Sequence, residues 1–427
     1  MKSGIFYLLA LPLVLAALLS FPGCESEARI ANTVPGDVTL YVSKCFIETG
    51  GSVTLAGSAL DDDGDPLTFR WTATAGSFMP ASAVGPSVQW TAPSSPGTVT
   101  IRMAVTDEIV TVTKTQDVTV CTPVQSSVIA STTIRNTGFV YIVKNAGLLP
   151  IAAVATLTIE PGVTIVFDGA AGGFDTFGRI VAEGTPGEKI RFRGNTCGAS
   201  SGLWDGIYLS ERSSEAIFRN VEVSAGSNGI QVINGGKLTL DRCMVYDHSG
   251  VGISVLAQGS VAHIISSDIW DNGKGIEIEN ARVEIRSSSI RYNAANGIKL
   301  SCSLSETEVT IDSTAIANNG SNGIELSNLA APAIRHCSIS SNGEEPGGGY
   351  AIRLAGHTGS DSIQAENNFW GAGNTTEEKI GLMIFDGKDQ TGLAYVGFIP
   401  WLSASPAAQK AGRAGGAKER SWAKSSR

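Results

Sequence analysis

A short segment that begins with Gly-Ile recurs through the middle of the chain, and this repeat constrains the fold more than any other feature. Copies begin at Gly206, Gly229, Gly252, Gly275, Gly297 and Gly323, with Ala351 in a variant copy. Successive copies start 23, 23, 23, 22, 26 and 28 residues apart. A period in this range predicts a solenoid, in which each repeat packs against its neighbours and equivalent residues form columns along the axis.

Each repeat contains short stretches of alternating apolar residues, such as Ile276-x-Ile278 and Val283-x-Ile285, and a third stretch follows them. This alternation is typical of β-strands, and no window shows the spacing of an amphipathic helix. Three strands per coil, stacked about 4.8 Å apart, form a parallel β-helix. The leucine-rich repeat is excluded because its fixed Asn in a Leu frame is absent. We therefore predict an all-β chain in which 125–400 form a solenoid of about nine coils.

One column of the repeat is polar. It holds Asn272, Asn293, Asn319 and Asn342, with His248 in the same position one coil earlier. An Asn amide can hydrogen-bond the copy in the next coil, and Asn also tolerates left-handed backbone. We expect this column to be a structural ladder that fixes the register of the coils.

Residues 35–121 lack the repeat and show a different pattern. Strand-like alternation appears at 38–42, 51–55, 67–71, 99–105 and 118–120, and turn-rich segments separate these stretches. This spacing predicts a small antiparallel β-sandwich that precedes the solenoid. The turn at 61–66 is acidic, and its residues Asp61, Asp63 and Asp65 could ligate Ca²⁺. An acidic turn without a metal is the favoured alternative.

The N-terminus has the features of an export signal: Lys2, an apolar stretch over 5–19, and a short segment that leads to Cys24. We expect 1–23 to be removed and 24–34 to form a linker. Cys24 resembles the lipidated residue of bacterial lipoproteins; the alternative is ordinary cleavage nearby, which would leave Cys24 as a spare thiol. A lipidated Cys24 would hold the exported protein at the bacterial outer membrane, on its periplasmic face or at the cell surface.

Two family resemblances rest on these residues. The Gly-Ile repeats, with 157–163 (LTIEPGV), 178–186 (GRIVAEGTP) and 367–371 (NNFWG), resemble the right-handed parallel β-helix (PbH1) repeats of the pectin-lyase-like superfamily. The segments 61–67 (DDDGDPL) and 105–107 (VTD) resemble PKD and related Ig-like domains, which implies a spacer or adhesive role. The superfamily resemblance implies a right-handed helix. It implies no single activity, because this fold hosts lyases, hydrolases, epimerases, adhesins and structural proteins.

The best candidate site lies on the middle coils. Two adjacent columns carry its aromatic and charged residues, which are Tyr246, Trp270 and Arg291 in one and Asp247, Asp271 and Tyr292 in the next. Stacking would bring the backbones of Asp247 and Asp271 to about 4.8 Å, and carboxylates this close do not both ionise easily, which places an acid beside a base. The aromatic faces would suit a sugar ring. The alternative is a set of exposed turn residues, and we favour ligand binding by Tyr246, Trp270, Arg291 and Tyr292 over catalysis.

The enzyme signatures of the superfamily are missing from the coils. The Asn-Thr-Asp, Asp-Asp and Gly-His-Gly segments of polygalacturonases do not occur there. Asp247-His248 matches a pectate-lyase dipeptide, but the Arg-x-Pro-x-x-Arg partner is absent. The four histidines of the chain have no metal-ligand spacing, so we expect no cofactor apart from the Ca²⁺ considered above.

Six further cysteines follow the export signal, and exported proteins fold where disulfides form. Cys45 and Cys121 bracket the sandwich, so we expect a bridge between them. Cys243 and Cys337 share an inward position four coils apart, or about 19 Å, which exceeds the reach of a disulfide. We expect both to be buried thiols or to pair elsewhere. The pairing stays open for Cys197, Cys243, Cys302 and Cys337.

The chain has 31 Lys and Arg against 40 Asp and Glu, a net charge of −9, which argues against nucleic-acid binding. The basic stretch 405–427 predicts a disordered tail. Together these features predict an envelope protein whose β-helix binds an extended partner, a polysaccharide or another cell-surface polymer, without catalysis. The alternatives are a polysaccharide lyase or glycoside hydrolase that acts on acidic glycans, and a structural or adhesive surface protein.

Overall fold

The computed structural model describes residues 32–144, 147–197, 202–303, 308–343, 348–357 and 362–406. The predicted signal segment 1–23 and Cys24 lie outside these ranges, as do the first part of the predicted linker and most of the basic tail. Within the described ranges the single helix is the short segment Glu377–Gly381. No helix in those ranges is long and apolar enough to cross a membrane.

The repeat folds into three parallel sheets that wind around one core, so the all-β solenoid prediction is confirmed, with about nine coils in the described chain. The first sheet contains the Gly-Ile strands, at Leu148–Ile151, Gly173–Thr176, Gly206–Leu209, Ile230–Val232, Val251–Leu256, Lys274–Glu279, Ile298–Cys302, Ile324–Asn328, Ile352–Leu354 and Ile384–Phe385. The second sheet has strands at Thr132–Ile134, Thr156–Ile159, Arg179–Glu183, Glu215–Arg219, Lys237–Asp241, Val261–Ile265, Arg282–Arg286, Val309–Asp312, Ala333–Arg335, Ile363–Gln364 and Val396–Gly397. The third sheet has strands at Tyr141–Val143, Thr164–Phe167, Ile190–Gly194, Val221–Ser224, Met244–Tyr246, Asp268–Trp270, Ser289–Arg291, Ala315–Ala317 and Ser338–Ser340.

Apolar columns form the core of the solenoid. Ile253 and Ile276 are fully buried and lie directly opposite each other on adjacent strands. Each buried Ile removed from water contributes about 1.5–3 kcal/mol, so identical side chains in register give every coil a similar share of the core. Cys243 and Cys337 belong to this core as thiols, as predicted, and burial raises the pKa of each to about 12.

The polar column lies at a corner of each coil and forms the predicted ladder. The side-chain oxygen of Asn293 accepts the backbone N–H and the side-chain amide of Asn272 at 3.1 and 3.0 Å. The Asn293 amide in turn donates to Asn319 Oδ1 at 2.9 Å. The left-handed residue of this corner is the one before each Asn, with φ of +56° at Asp271 and +55° at Tyr292, and Asn272 and Asn293 themselves are not left-handed.

His248 occupies the ladder position one coil before Asn272. Its backbone N–H donates to Asn272 Oδ1 at 3.2 Å. Its ring accepts the Gly226 N–H at Nδ1, 3.1 Å away, and Nε2 lies 3.2 Å from the Val223 carbonyl oxygen. Burial lowers the pKa of His248 to about 4, so the ring is neutral near pH 7 and Nε2 donates to that carbonyl.

The outward charges of the first sheet alternate in sign from coil to coil. Lys299 lies 3.8 Å from Glu277, and Arg353 lies 3.2 Å from Glu325. Exposed pairs of this kind contribute about 0–1 kcal/mol each. Their main effect is on register, because a slipped coil would place like charges together.

The sandwich packs against the N-terminal end of the solenoid. Its first sheet has strands at Gly36–Val42, Ser52–Leu60, Ser77–Met79 and Ser87–Thr91. Its second sheet has strands at Phe46–Glu48, Thr68–Ala73, Gly97–Thr106 and Thr111–Pro123. The last of these strands pairs in parallel with Tyr141–Val143, so this sheet continues into the third sheet of the solenoid.

The predicted Cys45–Cys121 disulfide is wrong. The strand after Cys45 pairs with the last strand of the sandwich in a register that places Cys121 opposite Glu48. Cys45 instead bonds Cys197 in the solenoid, with a Cα–Cα distance of 5.1 Å that lies within the usual disulfide range. Cys121 is a buried thiol, and burial raises its pKa to about 12. The disulfide therefore joins the two units.

Candidate functional site

Three of the predicted site residues lie on the outward side of the third sheet, which we call the third-sheet face: Tyr246, Trp270 and Arg291. Tyr246 pairs with Trp270 and Trp270 pairs with Arg291, so these residues share one column as predicted. Arg193 occupies the same column nearer to the sandwich. A second outward column lies two residues earlier on each strand, because alternate residues point to the same side of a sheet, and it contains Asp268.

The two aromatic rings of the column stack on each other. The ring centroids of Tyr246 and Trp270 are 4.8 Å apart and the ring planes differ by 5°. Each ring therefore covers one face of the other. The faces that remain point along the column, toward Ser224 on one side and Arg291 on the other.

A cluster of charges lies next to the aromatic pair in the second outward column. Lys189 Nζ and Arg191 Nε each bind the Glu222 carboxylate at 2.9 Å. The Glu222 side chain is only 14% exposed and contacts both cations. The cluster as a whole keeps a positive charge.

Two further arginines lie against aromatic rings. The guanidinium carbon of Arg193 is 5.2 Å from the centre of the Phe46 ring, which belongs to the sandwich. The guanidinium carbon of Arg291 is 5.7 Å from the centre of the Tyr292 ring. From Lys189 to Arg291, the described part of this face carries four cations and two carboxylates, in a chain whose net charge is −9.

Three hydrogen-bond donors of the column have no partner among the described residues. They are the Nε atom of Arg193, the Nε1 atom of Trp270 and the Nε atom of Arg291, and all three atoms are buried. These nitrogens can only donate. A buried donor without an acceptor costs about 1–3 kcal/mol, so a ligand rich in acceptor oxygens would gain from binding here.

Asp268 is the site residue that the sequence reasoning missed. It is half-buried, and it lies directly opposite Met244 on the preceding strand and Ser289 on the next strand of the third sheet. Burial raises the pKa of Asp268, while the charge of Arg291 and a hydrogen bond with Ser289 act in the opposite direction. The sequence could have identified Asp268, because it precedes Trp270 by two residues and both side chains therefore point to the same side of the strand.

A groove of about 800 Å³ begins at Asp268 and Arg291 and continues over the following coils. Small side chains form its floor, at Ser289, Ala315, Ala317, Ser338 and Ser340. The C-terminal segment borders it with Phe369, Asn374, Leu382 and Met383. The third-sheet face therefore carries three features in succession: the stacked rings of Tyr246 and Trp270, the charged residues Asp268 and Arg291, and the groove lined by small side chains.

Asp247 and Asp271 lie on adjacent coils, but at the corner beside the third-sheet face. Their φ angles are +60° and +56°, in the left-handed region that Asp and Asn tolerate better than most residues. Asp271 is exposed and Asp247 is half-buried. The backbone therefore explains the residue type at both positions, and their catalytic role stays a prediction. Tyr292 occupies the equivalent corner position in the next coil, and its side chain is 55% exposed.

The predicted metal ligands of the sandwich come together. One carboxylate oxygen from each of Asp61, Asp63 and Asp65 lies within 4.8 Å of the others. Contact between Asp61 and Asp63 raises the pKa of Asp61 and lowers that of Asp63. Asp61 Oδ2 and Asp63 Oδ1 are buried without a donor among the described residues, and so are Asn32 Oδ1 and Thr33 Oγ1. Oxygen atoms of this kind suit Ca²⁺.

Comparisons with known proteins agree with the fold. Residues 185–310 match the family model of the right handed beta helix region, and residues 37–120 match that of the PKD domain. The right-handed β-helix repeats and the PKD domain predicted from the sequence are thus confirmed. None of the curated proteins matches the chain.

Two solved structures are similar at low identity. The periplasmic alginate epimerase AlgG is 13% identical, over 54% of this chain and 77% of that one. Pectate lyase Pel9A is 15% identical, over 58% of this chain and 71% of that one. The TM-score is 0.29 for each, and likenesses this distant say nothing about the activity of this chain.

Proposed function

We propose that this protein, a PKD domain followed by a right-handed parallel β-helix, binds an acidic polysaccharide along its third-sheet face. The observation that carries the proposal is the set of buried donors without acceptors, on Arg193, Trp270 and Arg291. Sugar hydroxyls and uronate carboxylates are acceptors, and charged donors form the stronger hydrogen bonds to carboxylates.

The shape of the face favours a polymer over a small molecule. From Arg193 to Ser340 the column spans six strand-to-strand steps, or about 29 Å at the spacing of a β-sheet. The groove continues the column without a change of direction, because all of its floor residues belong to the same sheet. A chain of several sugar units could therefore contact the aromatic pair, the charged residues Asp268 and Arg291, and the groove at the same time.

The charge of the face favours an anionic chain. Its cations outnumber its carboxylates although the chain as a whole is acidic, so the positive charge is local. A neutral glycan would satisfy some of the donors but would leave this charge unpaired. Uronate units supply both acceptors and negative charge.

Binding without catalysis remains the favoured function, and cleavage of the same glycan by a lyase or hydrolase mechanism is the rival. The rival would need an acid and a base at the bound chain, for which Asp247 and Asp271 are the candidates from the sequence. Mass spectrometry of oligouronates after long incubation separates the two. Intact oligomers support binding alone, and shortened or unsaturated products would establish catalysis.

Export and lipid anchoring are further parts of the proposal and rest on the N-terminal sequence. A lipid on Cys24 would tether the protein at an envelope membrane, where an acidic polysaccharide could be held close to the cell. Replacing Cys24 with Ala should move the protein from the membrane fraction to the soluble exported fraction. Retention of the variant in the membrane fraction would contradict the anchor.

The binding proposal is tested by calorimetric titration with oligogalacturonate and with neutral xylo-oligosaccharide. We expect binding of the acidic oligomer and a loss of at least about tenfold in affinity for Arg291→Ala, because a hydrogen bond to a charged group contributes about 1.5–3 kcal/mol. Arg282→Ala is the matched control, since Arg282 lies on the second sheet of the same coil and its side chain is 62% exposed. No binding, or equal losses for both variants, would contradict the proposal.

A further inference from the structure

Asp268 occupies a position that conflicts with the ligand charge proposed above. It lines the mouth of the groove together with Arg291, and no other carboxylate lines that groove among the described residues. An anionic sugar unit paired with Arg291 would lie beside the Asp268 carboxylate. Two negative charges this close in a partly buried site repel each other, whereas a protonated carboxyl would instead donate a hydrogen bond.

We propose that Asp268 couples glycan binding to proton uptake, so that an acidic chain binds with Asp268 protonated; this inference rests on the proposed function. Binding then takes up one proton at the Asp268 carboxyl, and the O–H donates to an acceptor oxygen of the ligand. Affinity for an anionic glycan therefore rises as the pH falls. By the same logic Asp268 selects against anionic ligands at alkaline pH, where its charge competes for Arg291.

The surroundings of Asp268 permit this coupling. On the next strand, Ser289 and Arg291 face it, and their hydrogen bond and charge favour the ionised form while the site is empty of ligand. On the preceding strand the opposite residue is the uncharged Met244, beside Tyr246. An anion that occupies Arg291 removes the main charge that opposes protonation.

The other charged groups near Asp268 do not supply the same effect. Lys189 acts on it at longer range and favours the ionised form. Glu222 is two strands away and forms salt bridges with Lys189 and Arg191. Asp271 follows the strand that carries Asp268, at the corner of the coil, and is exposed. His248 is buried in the ladder and is neutral over the range from pH 5 to pH 8, because its pKa is about 4.

The test is titration of the full chain with oligogalacturonate between pH 5 and pH 8, a range in which the sugar carboxylates stay ionised. We expect affinity to fall by about tenfold or more as the pH rises, with proton uptake visible as a dependence of the binding heat on the buffer. Asp268→Asn keeps the shape but cannot ionise. It should bind at pH 8 about as tightly as the wild type does at pH 5, without the pH dependence.

Glu279→Gln is the matched control, because Glu279 is exposed on the first sheet, and this variant should keep the wild-type pH dependence. If the wild type binds oligogalacturonate with the same affinity at every pH, or if Asp268→Asn keeps the pH dependence, the coupling is refuted and the binding proposal stands. If no acidic oligomer binds at any pH, both fail. Circular dichroism of Asp268→Asn verifies that the variant is folded.

Discussion

Replacing Asn293 with Ala should destabilise the β-helix strongly, although the substitution removes only one small polar side chain. Asn293 is 1% exposed and makes hydrogen bonds to the coils on both sides. The backbone N–H of Asn272 has Asn293 Oδ1 as its acceptor, so the variant leaves a buried donor unpaired, at about 1–3 kcal/mol. The other side-chain bonds contribute about 1 kcal/mol each. The expected loss is about 3–5 kcal/mol in the free energy of unfolding.

Urea unfolding followed by circular dichroism measures this loss, and hydrogen exchange by mass spectrometry locates it. Exchange should rise in the peptides that contain Asn272 and Asn319 and should stay unchanged in the sandwich. Ala294→Asn is the control, because Ala294 is exposed and the change should stay within about 0.5 kcal/mol. A loss below about 1 kcal/mol for Asn293→Ala would refute the ladder as a source of stability.

Three further predictions follow from buried or clustered groups elsewhere in the chain. The folded-state pKa of His248 is about 4, below its usual 6.5, so the folded state binds fewer protons than the unfolded state; stability should fall by about 3 kcal/mol as the pH drops from 6.5 to 4. His248→Asn, which places the residue of the neighbouring coil in that position, should lose this part of the pH dependence in thermal unfolding curves, and an unchanged dependence would contradict the role of the ring. Replacing Cys45 and Cys197 together with Ser should cost about 2–5 kcal/mol, because the disulfide closes a loop of 152 residues, and unfolding curves equal to those of the wild type would exclude this contribution. Ca²⁺ should raise the melting temperature of the wild type by a few degrees but not that of an Asp61→Asn, Asp63→Asn variant, and identical melting in Ca²⁺ and in EDTA would rule out the metal site.

The sequence predicts the β-helix well because a repeat encodes local geometry many times over. The Gly-Ile spacing places Ile253 above Ile276, and the same spacing places Tyr246, Trp270 and Arg291 in one column. Once one strand is assigned, the repeat spacing gives the position of the equivalent strand in each later coil. The Asn ladder was predictable for the same reason.

Features that depend on contacts between distant segments were not predictable in this way. Cys45 meets Cys197 because the sandwich docks on the end of the solenoid, and no periodicity in the sequence encodes that docking. Asp268 shares the side of the strand with Trp270, which the alternation does encode. Its partial burial depends on the groove, one border of which comes from the C-terminal segment around Met383.

Oxidative footprinting by hydroxyl radicals, with and without saturating oligogalacturonate, tests the binding proposal most directly. We expect protection of Tyr246 and Trp270 on the third-sheet face and of Tyr292 at the corner beside it. Tyr395 is the internal control, because it is 56% exposed and lies on the C-terminal segment outside that sheet. Protection of Tyr246, Trp270 and Tyr292 with unchanged oxidation of Tyr395 would support the binding proposal. Bound ligand that protects Tyr395 and leaves the third-sheet face open to oxidation would contradict it.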